Sequence, residues 1–367
     1  MTQKSVLEEI EQTFFQEDSE QPIPPENVVA YNELRSCADL NRMYAGGKGK
    51  LELQPDFQRE VVWRRAEQAR FIDSLVKRLP IPSMCFSLDA KTQKWKVIDG
   101  LQRMTTITQF LGTAEWKVDP VEDIHPLLQG ATNNQLRNGN EEQRGIYDSV
   151  EDISVPITVI RCDYENDSHT RYLFTIFNRL NSGGVRLNNQ EIRNCIYSGH
   201  FNDELKKFDR ENKDWAAIKR NIWGPTDRFR SVEIALRALA FTAGRDNYEG
   251  NLAGFLNNFM QKASKSSDEQ TASVIDLLTR GAGASAIVLT ALGRTKKSLT
   301  LVEAVLVGVL SNLDMIDKRP DREEFLSGVG KKLMEEPEFA EGARYALASV
   351  QTVKSRLSKA VAVFGAS

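Results

Sequence analysis

The hydrophobic pattern of this chain changes near residue 200, and the change limits what the chain can fold into. Before that point short β-branched or aromatic runs alternate with helical faces; after it every periodic segment favours helix. Residues 51–53, 84–88, 95–98 and 155–160 read as strands. Between them, residues 65–79 place apolar side chains at 71, 72, 75, 76 and 79, one face of a helix that Pro80-Ile81-Pro82 stops. Met104, Ile107, Phe110 and Leu111 mark a second helix, and Leu173, Ile176, Phe177 and Leu180 a third. A further helix opens over 188–196, and residues 112–150, with Asn133-Asn134 and Asn138-Gly139-Asn140, read as a polar excursion outside the core. Then 232–241, 252–260, 272–278, 286–292, 299–313 and 340–363 are all helical in period. The fold class expected is α+β, with an α+β domain over 28–200 followed by an all-α domain over 201–367. Residues 1–27 read as a helix near 6–17 and an extended linker containing Pro22, Pro24 and Pro25.

Composition excludes several classes. A chain of 367 residues, 41% hydrophobic and 27% charged, can bury a sizeable core. A net charge of -3 argues against coating nucleic acid by bulk charge, while a local basic patch stays open. No stretch reads as long and apolar enough to span a bilayer. The nearest, 299–313, contains Glu303 and reads as a buried helix. Met1-Thr2-Gln3-Lys4-Ser5 lacks the apolar core of a signal peptide, so a cytoplasmic chain without a membrane partner is expected. Cys37, Cys85, Cys162 and Cys195 form no Cys-x-x-Cys pair, which disfavours zinc and disulfides. His125, His169 and His200 show no ligand spacing and read as surface residues.

The stretch that points to chemistry is Asp99-Gly100-Leu101-Gln102-Arg103, where a strand hands over to a helix. Free N–H groups and the positive end of a helix dipole make such a junction an anion site. Gly100 permits close approach of a ligand, and Arg103 offers a planar fork to phosphate. Asp99 beside a phosphate is repulsive unless a cation intervenes, which makes it a candidate magnesium ligand. The alternative is a capping-box variant, with Asp99 as N-cap and Gln102 three residues on. Both readings stay open at this level.

Taken together, several segments resemble a known family. Asp56-Phe57-Gln58-Arg59, Trp63, Pro80-Ile81-Pro82, the Asp99–Arg103 stretch and Asn178-Arg179-Leu180-Asn181-Ser182-Gly183-Gly184 occur in that order, followed by Leu187 and Gln190-Glu191-Ile192-Arg193-Asn194. Over roughly residues 28–240 the chain resembles the family whose N-terminal domain opens GmrSD-type modification-dependent restriction endonucleases. The resemblance implies a ParB/sulfiredoxin-like fold that binds and hydrolyses a nucleoside triphosphate, coupled to sensing or cleavage of foreign DNA. Leu101 stands where the family signature Asp-Gly-Gln-Gln-Arg has its first glutamine. The family's C-terminal His-Asn-His nuclease has no counterpart after His200, so this chain is not expected to cleave DNA alone.

On this reading Asp99, Gln102, Arg103 and Glu191 are the catalytic candidates, with Asp99 and Glu191 at a magnesium ion. The nucleotide would meet Gln58, Arg59, Trp63, Gly100, Arg103, Thr105, Asn181, Ser182, Gly183, Gly184 and Arg193. Several have a plainer alternative. Arg59 can stack on Trp63, Gly183-Gly184 can end a helix, and Glu191 can cap one with Asn188. Arg193 reads as a solvated charge or a phosphate contact, and Glu233 with Arg237 as a structural i,i+4 pair. Arg220, Trp223, Arg228 and Arg230, interleaved with Phe229, are the DNA-binding candidates, or else a loop that caps the helical domain. The leading function is a magnesium-dependent nucleoside triphosphatase of a DNA-directed antiphage system. A non-catalytic module that senses DNA or nucleotide and controls a separately encoded nuclease is the alternative. A nuclease acting through the α+β domain itself is a third possibility, supported only by analogy.

Overall fold

The structure is a computed structural model that describes residues 24–53, 63–180, 187–220, 228–293, 297–339 and 349–366. The expected helix at 6–17 lies outside them. The chain divides into two compact units, one over Pro22–Leu187 and one that includes Asn188–Ser367.

The first unit is built on one mixed sheet. Its elements are β1 (Val29–Ser36), α1 (Cys37–Tyr44), β2 (Leu51–Glu52), α2 (Arg65–Val76), β3 (Met84–Asp89), β4 (Trp95–Asp99), α3 (Leu101–Phe110), α4 (Asn133–Asn138), α5 (Glu141–Asp152), β5 (Ser154–Cys162) and α6 (Asp167–Leu180). The strand order is β1-β5-β3-β4-β2. β5 runs antiparallel to β1 and parallel to β3, so it is interior. Pro156 precedes the first β3 pair, Met84↔Ile157, and its missing N–H leaves that ladder intact. Between β3 and β4 the Asp89 carboxylate accepts from the N–H groups of Lys91 and Thr92 and closes the hairpin. The period-2 pattern puts Phe86, Leu88, Trp95, Val97, Val155, Ile157 and Val159 into the core with Leu40, Ile72, Leu75, Met104, Ile107 and Phe110.

Residues 112–150 are not an excursion. Trp116, Val118, Leu128, Leu136, Tyr147 and Val150 belong to the core, and Phe110 stacks on Tyr147 at 5.5 Å. The polar residues that suggest a loop are helix caps: Thr132 with Gln135 and Asn140 with Gln143 form capping boxes. Asn133 is buried, accepting from the Trp116 N–H and donating to the Phe110 carbonyl. His169 is likewise no surface residue. Its Nδ1 accepts from the Asp163 N–H and its Nε2 donates to the Glu26 carbonyl, both at 3.0 Å. All four cysteines are free and buried, and burial pushes the Cys37, Cys85 and Cys162 thiols up to about 12.

Among its described residues the second unit contains only helices. They are α7 (Asn189–Ile196), α8 (His200–Glu211), α9 (Lys213–Arg220), α10 (Arg230–Gly244), α11 (Leu252–Ser264), α12 (Asp268–Ala291), α13 (Leu299–Ser311), α14 (Leu313–Asp317), α15 (Arg322–Glu335) and α16 (Val350–Phe364). One helix departs from the sequence expectation. The segments expected at 272–278 and 286–292 merge into the single helix α12, which has Leu292 as its C-cap and by length and composition alone reaches membrane-spanning size. It packs against α8, α9, α13 and α15 as a core helix of this unit. Gly281 sits at the α13 contact, where an added Cβ would clash with the Leu310 side chain.

A buried row of charges joins four of these helices. Arg193 Nη1 lies 3.0 Å from Glu233 Oε2, and Arg237 Nη2 lies 2.6 Å from Glu233 Oε1. Glu303 faces both Arg237 (3.6 Å) and Arg356 (3.1 Å). Burial pushes the Glu233 carboxyl up, but Arg237 and Arg193 outweigh it and hold it below its ordinary value.

Candidate functional site

β4 ends at Asp99, and α3 starts at Leu101 with Gly100 as its N-cap in the left-handed region, φ 94° and ψ 17°. That geometry removes the capping-box alternative. The capping position belongs to a residue without a side chain, and no side chain caps the helix. The first-turn N–H groups of α3 therefore lack the side-chain acceptor that most helix starts carry. The amide of Gln102 is equally unusual: its Oε1 is buried and has no hydrogen-bond partner among the described residues.

Arg103 lies one turn into α3. Its Nη2 donates to Asp99 Oδ2 at 3.0 Å and to the Ser83 carbonyl at 3.4 Å, and its Nη1 donates to the Pro82 carbonyl. The guanidinium is thus held by the strand end and by the turn that leads into β3. Burial pushes Arg103 down from its ordinary value, with the Asp99 carboxylate pulling the other way. Sequence reasoning found Asp99 and Arg103 but missed these two carbonyls. Pro80-Ile81-Pro82 was visible as a helix stop, and nothing in it marks an acceptor for a distant arginine.

Gly100 is fixed by packing as well as by backbone. A Cβ there would lie 2.5 Å from the Met84 Cγ, and φ is one that L side chains rarely adopt. Gly100→Ala is expected to cost about 2 kcal/mol or more, combining left-handed strain with overpacking. A lowered urea midpoint at unchanged slope would show it; an unchanged midpoint would mean the turn relaxes.

The remaining candidates are distributed unevenly. Thr105 is buried on α3, and Trp63 is half-buried with its ring edge-to-face with Phe71 at 5.5 Å. Gln58, Arg59, Asn181, Ser182, Gly183, Gly184 and Trp223 lie outside the described residues. Glu191 and Arg193 belong to the second unit, whereas Asp99 belongs to the first. Glu191 closes a capping box with Asn188, its N–H donating to Asn188 Oδ1 and its Oε2 accepting from the Asn188 N–H. Both its oxygens also accept from Arg228, at 3.1 and 2.6 Å. Arg193 is not a solvated charge: it is buried among Gln190, Glu233 and Asn257. Arg228 and Phe229 are both left-handed, φ 47° and 61°, where Asn188 donates to the Arg228 carbonyl at 2.7 Å. Arg220 is exposed at the end of α9, and Arg230 opens α10. Among the described residues no group of three or more His, Cys, Asp or Glu side chains could hold a metal ion.

Residues 40–198 match the family model described as GmrSD restriction endonuclease, N-terminal domain. Over these residues the chain is similar to that domain. No curated protein and no solved structure matches it. The GmrSD match begins in α1 and ends just after α7, so it takes in the Asp99–Arg103 turn and Asn188–Arg193. β1 and the Arg220–Arg230 segment fall outside it.

Proposed function

We propose that this chain binds a nucleoside triphosphate at the β4–α3 turn and hydrolyses it within a restriction-like phage defence system. The GmrSD-type domain supports the defence setting. One observation carries the nucleotide reading: α3 starts uncapped at Gly100, beside the buried and unpartnered Oε1 of Gln102. The first-turn N–H groups would donate to phosphate oxygens. Arg103 would share its fork between Asp99 and a terminal phosphate, where charge develops during phosphoryl transfer. The Gln102 Oε1 would accept a hydrogen bond from the water that attacks the terminal phosphorus and so orient it.

Magnesium fits this turn through Asp99 alone, since an ion carried by phosphates takes only one or two carboxylates from the protein. The ion would supply neutralisation of phosphate charge. Glu191 does not fit that role, because both its oxygens are engaged by Asn188 and Arg228. DNA contact would come from the second unit through Arg220 and Arg230, with Trp223 between them in sequence.

A second reading is favoured by Leu101 and by the existing partners of Arg103. On it, the domain senses nucleotide or DNA without turnover and controls a separately encoded nuclease. A hydrolysis panel of the four ribonucleoside triphosphates with magnesium, with and without DNA, separates the two. Phosphate release that requires magnesium supports the triphosphatase. Binding without release supports the sensor, and absence of both binding and release overturns the nucleotide site.

A further inference from the structure

β1 lies at one edge of the sheet and is eight residues long. Among the described residues no strand pairs with its outer side. Three of the exposed large hydrophobic residues lie along it: Val29, Tyr31 and Leu34, the last 71% exposed. Natural edges are blunted by lysine, proline, a bulge or inward-pointing charges. β1 (VAYNELRS) has neither lysine nor proline, and its register with β5 runs unbroken over eight pairs. Its two charges, Glu33 and Arg35, pair with each other at 2.5 Å, and Arg35 lies over the Trp95 ring at 5.1 Å. They give the edge no net repulsion.

We infer that two copies of this chain pair antiparallel along β1, about a two-fold axis through Leu34. The choice of a second copy rests on charge complementarity. A two-fold axis normal to the sheet puts one residue opposite its own copy, so each possible centre fixes every other pair. Centred on Glu33 or Arg35 the axis sets like charges against each other, which is destabilising. Centred on Tyr31 or Asn32 it leaves Glu33 opposite Val29 or Tyr31. Centred on Leu34 it sets Glu33 opposite the second copy's Arg35, twice, on one face of the joined sheet. On the other face it sets the two most exposed leucines together. Only this register matches both the charges and the apolar surface, and its contact is isologous, as a closed dimer requires.

The test uses the full chain in sedimentation velocity, with folding checked by circular dichroism. The parent should sediment as a concentration-dependent dimer. Leu34→Lys places two ammonium groups opposite each other and should raise the dimer dissociation constant about tenfold or more. Glu33→Arg should also weaken it, and the exchange Glu33→Arg with Arg35→Glu should restore it, because the cross-strand pairs are kept with their signs reversed. Directly opposed residues of antiparallel strands lie about 4.5–5.5 Å apart at Cα, within disulfide reach. Leu34→Cys should therefore form an intermolecular disulfide under mild oxidation, the four native cysteines being buried. Asn32→Cys should not, since its copies would stand four residues apart, about 13 Å. A chain that stays monomeric up to its solubility limit overturns the inference. So does a dimer that Leu34→Lys leaves intact, or a disulfide at position 32 in place of 34.

Discussion

Glu233→Ala should lower the stability of the second unit by about 3–5 kcal/mol, the cost of removing one partner from a buried ion pair. Glu233 is the anion shared by Arg193 and Arg237, and all three side chains are at most 8% exposed. Its removal takes from the Arg193 and Arg237 guanidinium groups the buried carboxylate they share. Glu233→Gln keeps the shape and one acceptor and should cost less, so the difference between the variants reports the charge. The pH dependence follows from the lowered carboxyl. The unfolded chain takes up the proton first as pH falls, so the contribution is full above the ordinary carboxylate range. It is lost as pH drops through the lowered value of the folded state. Urea denaturation from neutral to acid pH, parent against Glu233→Gln, measures both effects. Parallel curves would mean that Glu233 is not the titrating anchor.

That network also marks how far sequence alone reaches. Glu233 and Arg237 stand four apart in an apolar run, so their pairing is legible. Arg193, Glu303 and Arg356 join them from helices far away in sequence, and no local spacing announces such partners. The strands at 84–88, 95–98 and 155–160 were legible because β-branched and aromatic runs end in turn residues. β1 was not: its alternation is broken by charges, and five of its residues, Val29, Ala30, Tyr31, Asn32 and Leu34, are exposed because the strand lies at the sheet edge. The core segment 112–150 was hidden because Thr132 and Asn140, which cap helices, belong to the same residue class that fills loops. At the candidate site the motif was legible and its geometry was not. Asp99 could have been an N-cap, and only the left-handed backbone at Gly100 assigns the cap to a residue with no side chain.

The same geometry sets the expectation for Arg103→Ala, which should weaken nucleotide binding about ten- to a hundredfold. A charge-assisted hydrogen bond is worth about 1.5–3 kcal/mol, against about 0.3–1 kcal/mol per favourable charge at an exposed helix start. Arg103 should therefore dominate the backbone contribution. Its contacts to Asp99, Pro82 and Ser83 act against this, because a phosphate must share the fork or displace the carboxylate. Arg103→Lys separates the two contributions. It keeps the charge but cannot bridge Asp99 and a phosphate in one plane, so binding should recover only in part. Asp99→Asn keeps an acceptor for Arg103 and removes the charge, so it should lower magnesium-dependent turnover more than it lowers binding. If Arg103 serves only to tie α3 to the turn before β3, the outcome differs: Arg103→Ala loses stability and titrates with nucleotide like the parent. Calorimetric titration of the folded variants decides, and parental affinity in Arg103→Ala would place the phosphates somewhere other than the start of α3.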